Sequence, residues 1–135
     1  MRKPYEIWIV DDDADDREIL RDAFAASRDG DEYGFQENGD ALIDALAARK
    51  ADNLPSLIML DLNMPGKDGR EALREIKMHD EFHRIPIVVF TTSSSDRDKS
   101  HCYNLGANCF VTKPDTFKKL VELAGHVQNL WLPAP

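Results

Sequence analysis

The sequence predicts an α/β fold, a parallel sheet covered by helices on both faces, and three observations lead to it. Short apolar runs alternate with longer segments of helical period, five times over. The run "IPIVVF" (85–90) is almost wholly apolar, as a strand buried on both faces must be. Acids, hydroxyls and a lysine stand at the ends of the apolar runs, where a parallel sheet gathers its binding groups.

In chain order, "YEIWIV" (5–10) is rich in β-branched and aromatic residues and reads as the first strand. Segment 14–26 then places Ile19, Leu20, Ala23 and Phe24 on one helical face. "YGFQE" (33–37) is the second strand, and 40–50 a helix carrying Leu42, Ile43, Ala45 and Leu46. "SLIMLD" (56–61) is the third strand, driving Leu57 to Leu60 straight into Asp61. Helix 69–79 aligns Ala72, Leu73 and Ile76, and the apolar run 85–90 follows as the fourth strand. Residues 95–105 read as a helix stopped by Gly106, although "SSSDRD" at its start looks polar and mobile. "NCFV" (108–111) is the fifth strand. The last helix follows Pro114 and spaces Phe117, Leu120, Val121, Ala124 and Val127 toward the sheet. No linker or repeat divides the chain, so 1–135 reads as one domain with a core over about 5–127 and a tail, 128–135.

Composition narrows the functions. A hydrophobic content of 42% and a charged content of 31% describe an ordinary globular chain. The net charge of −8 speaks against a bare phosphate-binding surface, so nucleic acid is not an expected partner. No apolar run reaches the roughly 20 residues of a membrane span, and no signal-peptide cleavage pattern follows the first strand. Cys102 and Cys109 lack a CxxC spacing and fit reduced thiols, which points to a cytoplasmic protein.

At the strand ends stand Asp11, Asp12 and Asp13 (first), Asp61 (third), Thr91 and Thr92 (fourth), and Lys113 with Pro114 (fifth). In a parallel sheet these converge on one edge. Two unit charges about 4 Å apart interact by roughly 4 kcal/mol at an effective dielectric near 20, so clustered carboxylates call for a cation. Carboxylates and carbonyls form a hard oxygen site suited to Mg²⁺, and no Cys/His set suggests zinc. Metal, lysine and hydroxyl around one carboxylate suggest phosphoryl transfer onto Asp61, because a carboxylate is an effective covalent nucleophile. The plainer reading of "DDDADD" is a helix N-cap, with Asp15 and Asp16 as solvated first-turn acids. It is the order and spacing of all four strand-end groups that favour chemistry.

With those residues in place the chain resembles the receiver domain of two-component response regulators, over roughly residues 5–127. The resemblance rests on the acidic pair Asp11–Asp12, the block "LDLNMPGKDG", the hydroxyl of Thr91 and "KP" before the last helix. It implies a flavodoxin-like, doubly wound five-stranded sheet of order 2-1-3-4-5 with five helices, an order for which a receiver is among the standard examples. It further implies Asp61 as phosphoacceptor, and Mg²⁺ held by Asp12 and Asp61 directly, by the Asn63 carbonyl, and by Asp11 through water. Lys113 would grip the phosphoryl group and precede a cis peptide at Pro114. Thr91 is the implied switch hydroxyl, Phe110 the implied switch aromatic, and Gly69 the implied loop glycine. Phe110 departs from the common tyrosine, and Thr92 from the usual small residue. The implied partner is a histidine kinase or histidine phosphotransfer protein. An output domain after the last helix is not expected. The length between strands two and three and the tail "HVQNLWLPAP" resemble small stand-alone regulators paired with phytochrome-type kinases (bacteriophytochromes).

An aspartyl-phosphate phosphatase of the haloacid-dehalogenase type needs an acid two positions after its nucleophile. Asn63 stands there and cannot transfer that proton. A receiver-like interaction module that takes no phosphate conflicts with the intact Asp12, Asp61, Thr91 and Lys113. A P-loop hydrolase lacks its motif. His79, His83, His101 and His126 lie off the strand ends and read as surface residues. Finally, Leu123, Leu130, Trp131 and Leu132 exceed one buried stripe, which suggests a homodimer through the last helix, the tail and the neighbouring helix 95–105, the plainer alternative being a tail that folds back over the sheet edge.

Overall fold

In the computed structural model, which describes residues 4–133, the apolar runs pair into one sheet of five parallel strands. The elements are β1 (Glu6–Val10), α1 (Ala14–Ser27), β2 (Glu32–Gln36), α2 (Gly39–Ala47), a 3-10 turn (Ala51–Asn53), β3 (Leu57–Leu60), α3 (Gly69–Lys77), β4 (Ile87–Thr91), α4 (Asp96–Asn104), β5 (Cys109–Thr112) and α5 (Phe117–Trp131). The strand order is β2-β1-β3-β4-β5, as the resemblance implied, and every pairing is parallel.

Period-2 alternation divides the core into two layers. Trp8, Val10, Ile58, Leu60, Ile87 and Val89 face α2, α3 and α4, against Leu42, Leu46, Leu73, Ile76 and Cys102. Ile7, Ile9, Leu57, Met59, Val88 and Phe90 face α1 and α5, against Leu20, Phe24, Leu120, Ala124 and Val127. Each helix starts on a side chain that accepts an otherwise unpaired amide: Asp13, Asn38, Asp68, Ser95 and Thr116. Helix α4 stops where Gly106 turns to φ +106°, a conformation that favours glycine.

Several expectations are corrected. Ile19 and Phe117, assigned to buried faces, are 46% and 50% exposed. They lie on the rim of a groove between α1 and the β5–α5 connection. The start of α4 is not loose, because the helix begins at Asp96 and Ser93 and Ser95 are both hydrogen-bonded. No cis peptide occurs among the described residues, so Lys113–Pro114 takes the trans form, which is intrinsically favoured by about 0.5–1 kcal/mol. The tail folds back onto the α1/α5 layer. Leu132 is 1% exposed, its carbonyl accepts from Arg28 Nη1 at 2.7 Å, and the Tyr5 hydroxyl donates to the Pro133 carbonyl at 2.8 Å. Ala134 and Pro135 lie outside the described residues.

Candidate functional site

Strand register sets the site. Val10 lies beside Leu60, and the Asp61 amide donates to the Val10 carbonyl at 2.9 Å, so the first residues beyond β1 and β3 stand abreast. Carboxylate oxygens of Asp11, Asp12 and Asp61 all come within 4.8 Å of one another. Asp11 and Asp61 are buried and Asp12 is exposed, so the cluster opens to solvent on one side. The plainer reading holds for Asp13, whose carboxylate caps α1 through the amides of Asp15 and Asp16, and for Asp15, which stays exposed in the first turn.

Lys113 reaches across from the end of β5. Its ammonium lies 2.9 Å from Asp11 Oδ2, 3.4 Å from Asp16 Oδ2 and 3.8 Å from Asp61 Oδ2. Asp16 is therefore more than a solvated first-turn acid, although only the folded geometry shows it. Burial disfavours the Lys113 charge, but the hydrogen bond to Asp11 and the fields of Asp61, Asp11 and Asp16 outweigh it and lift its pKa above the ordinary lysine value. For Asp61, burial raises the carboxyl pKa. Lys113 opposes this, Asp11 reinforces it, and the Asn63 and Leu62 amides lower it without cancelling the rise.

The loops hold these groups in place. The Asn63 amide approaches Asp61 Oδ1 at 3.4 Å. Helix α3 begins at Gly69 hard against the acceptor, where a Cβ would stand 2.2 Å from the Asp61 carbonyl oxygen and 2.6 Å from Leu62 Cα. No other residue fits that approach unstrained, which gives the loop glycine its physical reason. Arg17 Nη1 donates to the Asp11 carbonyl at 2.7 Å and fixes the β1–α1 turn, a role that sequence spacing did not signal.

Thr91 ends β4 fully buried, with its hydroxyl accepting from the Ser93 amide at 3.3 Å and its carbonyl accepting from the Lys113 amide at 2.7 Å. Phe110 lies beside Val89 and is half-buried against the α2/α3/α4 layer. Its amide donates to the Tyr103 hydroxyl of α4 at 3.1 Å. The four histidines are all exposed, as expected.

The donor set suits a divalent cation. Two buried carboxylates and one exposed carboxylate offer oxygens only, and Lys113 alone does not neutralise three acids. Chemically the site can hold such a cation, present one carboxylate as a nucleophile, and offer an ammonium to an incoming anion.

Comparison with known proteins gives matches along nearly the whole chain. The family model described as the response regulator receiver domain matches residues 7–124. Response regulator Rcp1 of Synechocystis sp. is 40% identical over 114 residues, covering 84% of this chain and 69% of that protein. The phosphorylated cyanobacterial phytochrome response regulator RcpA superposes with a TM-score of 0.87 at 34% identity, over 96% of this chain and 95% of that one. The Mn²⁺-bound form of Rcp1 gives a TM-score of 0.85 at 34% identity, over 98% and 97%.

Proposed function

This chain belongs to the response regulator receiver domain family, and from that premise we propose that it takes a phosphoryl group onto Asp61 from a phosphohistidine and signals by altered protein binding. The phosphorus–nitrogen bond of the donor imidazole breaks as a bond forms to an Asp61 carboxylate oxygen. The observation that carries this reading is a buried carboxylate at the end of the central strand, ringed by Asp11, Asp12 and the Lys113 ammonium.

Each residue contributes a distinct part. Rigid β3 and the tight approach of Gly69 hold Asp61 still while its carboxylate faces the opening. Asp12 and Asp61, the Asn63 carbonyl, and Asp11 through water would hold Mg²⁺, which supplies positive charge to the phosphoryl oxygens. Lys113 starts on Asp11 and moves a short distance to a phosphoryl oxygen. Thr91 turns its hydroxyl to the same group, and Phe110 takes up the space so released. An acyl phosphate carries roughly two negative charges where the carboxylate carried one, so the same cationic groups favour the modified state. Receivers are signalling domains, and the chemistry here is self-phosphorylation with slow self-hydrolysis. Asn63 in place of an acid speaks against a phosphatase.

The donor is a histidine kinase or phosphotransfer protein in the cytoplasm. The likeness to RcpA, a phytochrome response regulator, favours a phytochrome-type kinase (bacteriophytochrome). The groove beside Lys113, with Ile19 and Phe117 on its rim, suits approach of an apolar helical surface. A homodimer through α5 and the tail belongs to the same reading.

Incubation with acetyl phosphate, with and without Mg²⁺, followed by intact mass tests it. A Mg²⁺-dependent gain of about 80 Da, one phosphoryl group on a carboxylate, is expected in the wild type and absent in Asp61→Asn. Equal labelling of that variant would overturn the assignment.

A further inference from the structure

Between Thr91 and α4 lies a chain of hydrogen bonds that the transfer chemistry does not use. Asp98 Oδ2 accepts from the Ser93 hydroxyl at 2.7 Å, and Asp98 Oδ1 accepts from Arg70 Nη2 at 3.0 Å. Ser93 is committed at each of its polar groups. Its amide donates to the Thr91 hydroxyl oxygen at 3.3 Å, its carbonyl accepts from Thr112 Oγ1 at 2.8 Å, and its own hydroxyl oxygen also accepts from the Ser95 amide at 3.2 Å. Arg70 directly follows Gly69, whose backbone is pressed against the Asp61 carbonyl. The Arg70 and Asp98 side chains are both partly shielded from solvent, at 28% and 27% exposure. A continuous path therefore runs from the backbone of Asp61, through Arg70, Asp98 and Ser93, to the hydroxyl of Thr91.

We infer that Asp98, clamped by Arg70, is a positioning residue for Thr91, a latch that holds the β4–α4 loop in its resting place. This rests on the reading of Thr91 as the switch hydroxyl. For Thr91 to reach a phosphoryl oxygen on Asp61, either its hydroxyl leaves the Ser93 amide or the loop travels with it. Leaving the amide breaks one link, and moving the loop breaks the Ser93–Asp98 link. In both cases the latch stabilises the resting state relative to the phosphorylated one, and a two-state element shifts only by such differential contacts.

A merely structural role would have Asp98 stabilise the first turn of α4, where Ser95 already caps its amide. The two roles separate experimentally. The full chain, loaded with Mg²⁺, is titrated with beryllofluoride as phosphoryl mimic, with the Thr91 methyl and Phe110 amide followed by NMR. Asp98→Asn and Arg70→Ala are each expected to tighten the apparent beryllofluoride affinity by about threefold to tenfold, the scale of one net hydrogen bond. The double variant should gain no more than either single one. Arg70→Lys should return most of the wild-type value. Ser93→Ala cuts the same path without a change of charge and decides the matter if Asp98→Asn fails to fold. A shift below about twofold, a weakened affinity or additive single effects would leave only a surface ion pair and overturn the latch. Wild type and Thr91→Ala are run alongside. A wild type that takes neither beryllofluoride nor phosphoryl at Asp61 removes the proposed function and the latch with it. An unchanged Thr91→Ala removes the role of Thr91 and so the latch. A weakened Thr91→Ala beside an unmoved Asp98→Asn removes the latch alone.

Discussion

Burial favours the neutral form of Asp61, and with Lys113 opposing and Asp11 assisting, its folded pKa lies above the unfolded value. A carboxyl shifted upward contributes stability that is complete below the ordinary pKa of about 3.9 and is lost as pH rises through the folded value. At neutral pH, without metal, the acceptor therefore costs the fold stability. Asp61→Asn should raise the metal-free melting temperature by a few degrees at pH 7, and the gain should fade as the pH falls toward 4. Thermal unfolding across that range checks it, and a gain constant with pH would show that the charge of Asp61 carries no cost. The residues of this site were mostly legible from strand-end positions: Asp11, Asp12, Asp61 and Lys113 do meet. Asp16, Arg17 and Asp98 were not legible, since their partners are set by how one helix faces another strand end or helix, and local spacing carries no such information.

Element by element, the alternation of apolar runs gave the right number, type and order of strands and helices, because each run must bury its own face. Termini moved by one to three residues. Strand β4 begins at Ile87 and not at Ile85, since Pro86 has no amide to donate to a ladder. The helical stripes were less reliable at their ends. Ile19 and Phe117 have the right spacing, yet they stand on the rim of a groove and stay about half exposed, and whether a neighbouring element covers a position cannot be read from a helix's own sequence. The reverse holds at the C-terminus. Leu132, counted among spare apolar residues, is enclosed by the α1/α5 layer, whereas Leu130 remains 70% exposed. Leu132→Ala should therefore lower unfolding free energy by about 2–5 kcal/mol, the usual range for a buried leucine, while Leu130→Ala should change it by less than about 0.5 kcal/mol. Urea unfolding of both variants distinguishes them, and equal effects would mean that the tail does not dock.

At the scale of the whole molecule, the docked tail narrows the surface left for pairing two copies. Leu130, two turns beyond half-buried Leu123 on the same side of α5, is what remains of the apolar face proposed for a homodimer. Leu130→Glu should convert dimer to monomer in sedimentation while Asp61 still takes its phosphoryl group, because two-fold pairing places the same charge on both sides of the contact. A wild type already monomeric at high micromolar concentration, with and without phosphorylation, would end the proposal. Among the described residues no helix is long and apolar enough to cross a membrane. The centre of the sheet has a consequence of another kind. Strand β3 is paired on both sides and covered on both faces, with Leu57 to Leu60 essentially sealed from solvent. Its amides can meet deuterium only when the whole domain opens, so they should exchange last. The phosphoryl mark would thus be written next to the part of the chain that opens most slowly, while Thr91, Ser93 and Phe110 lie toward the β5 edge, where smaller openings suffice. Memory and readout would then run on separate clocks within one sheet.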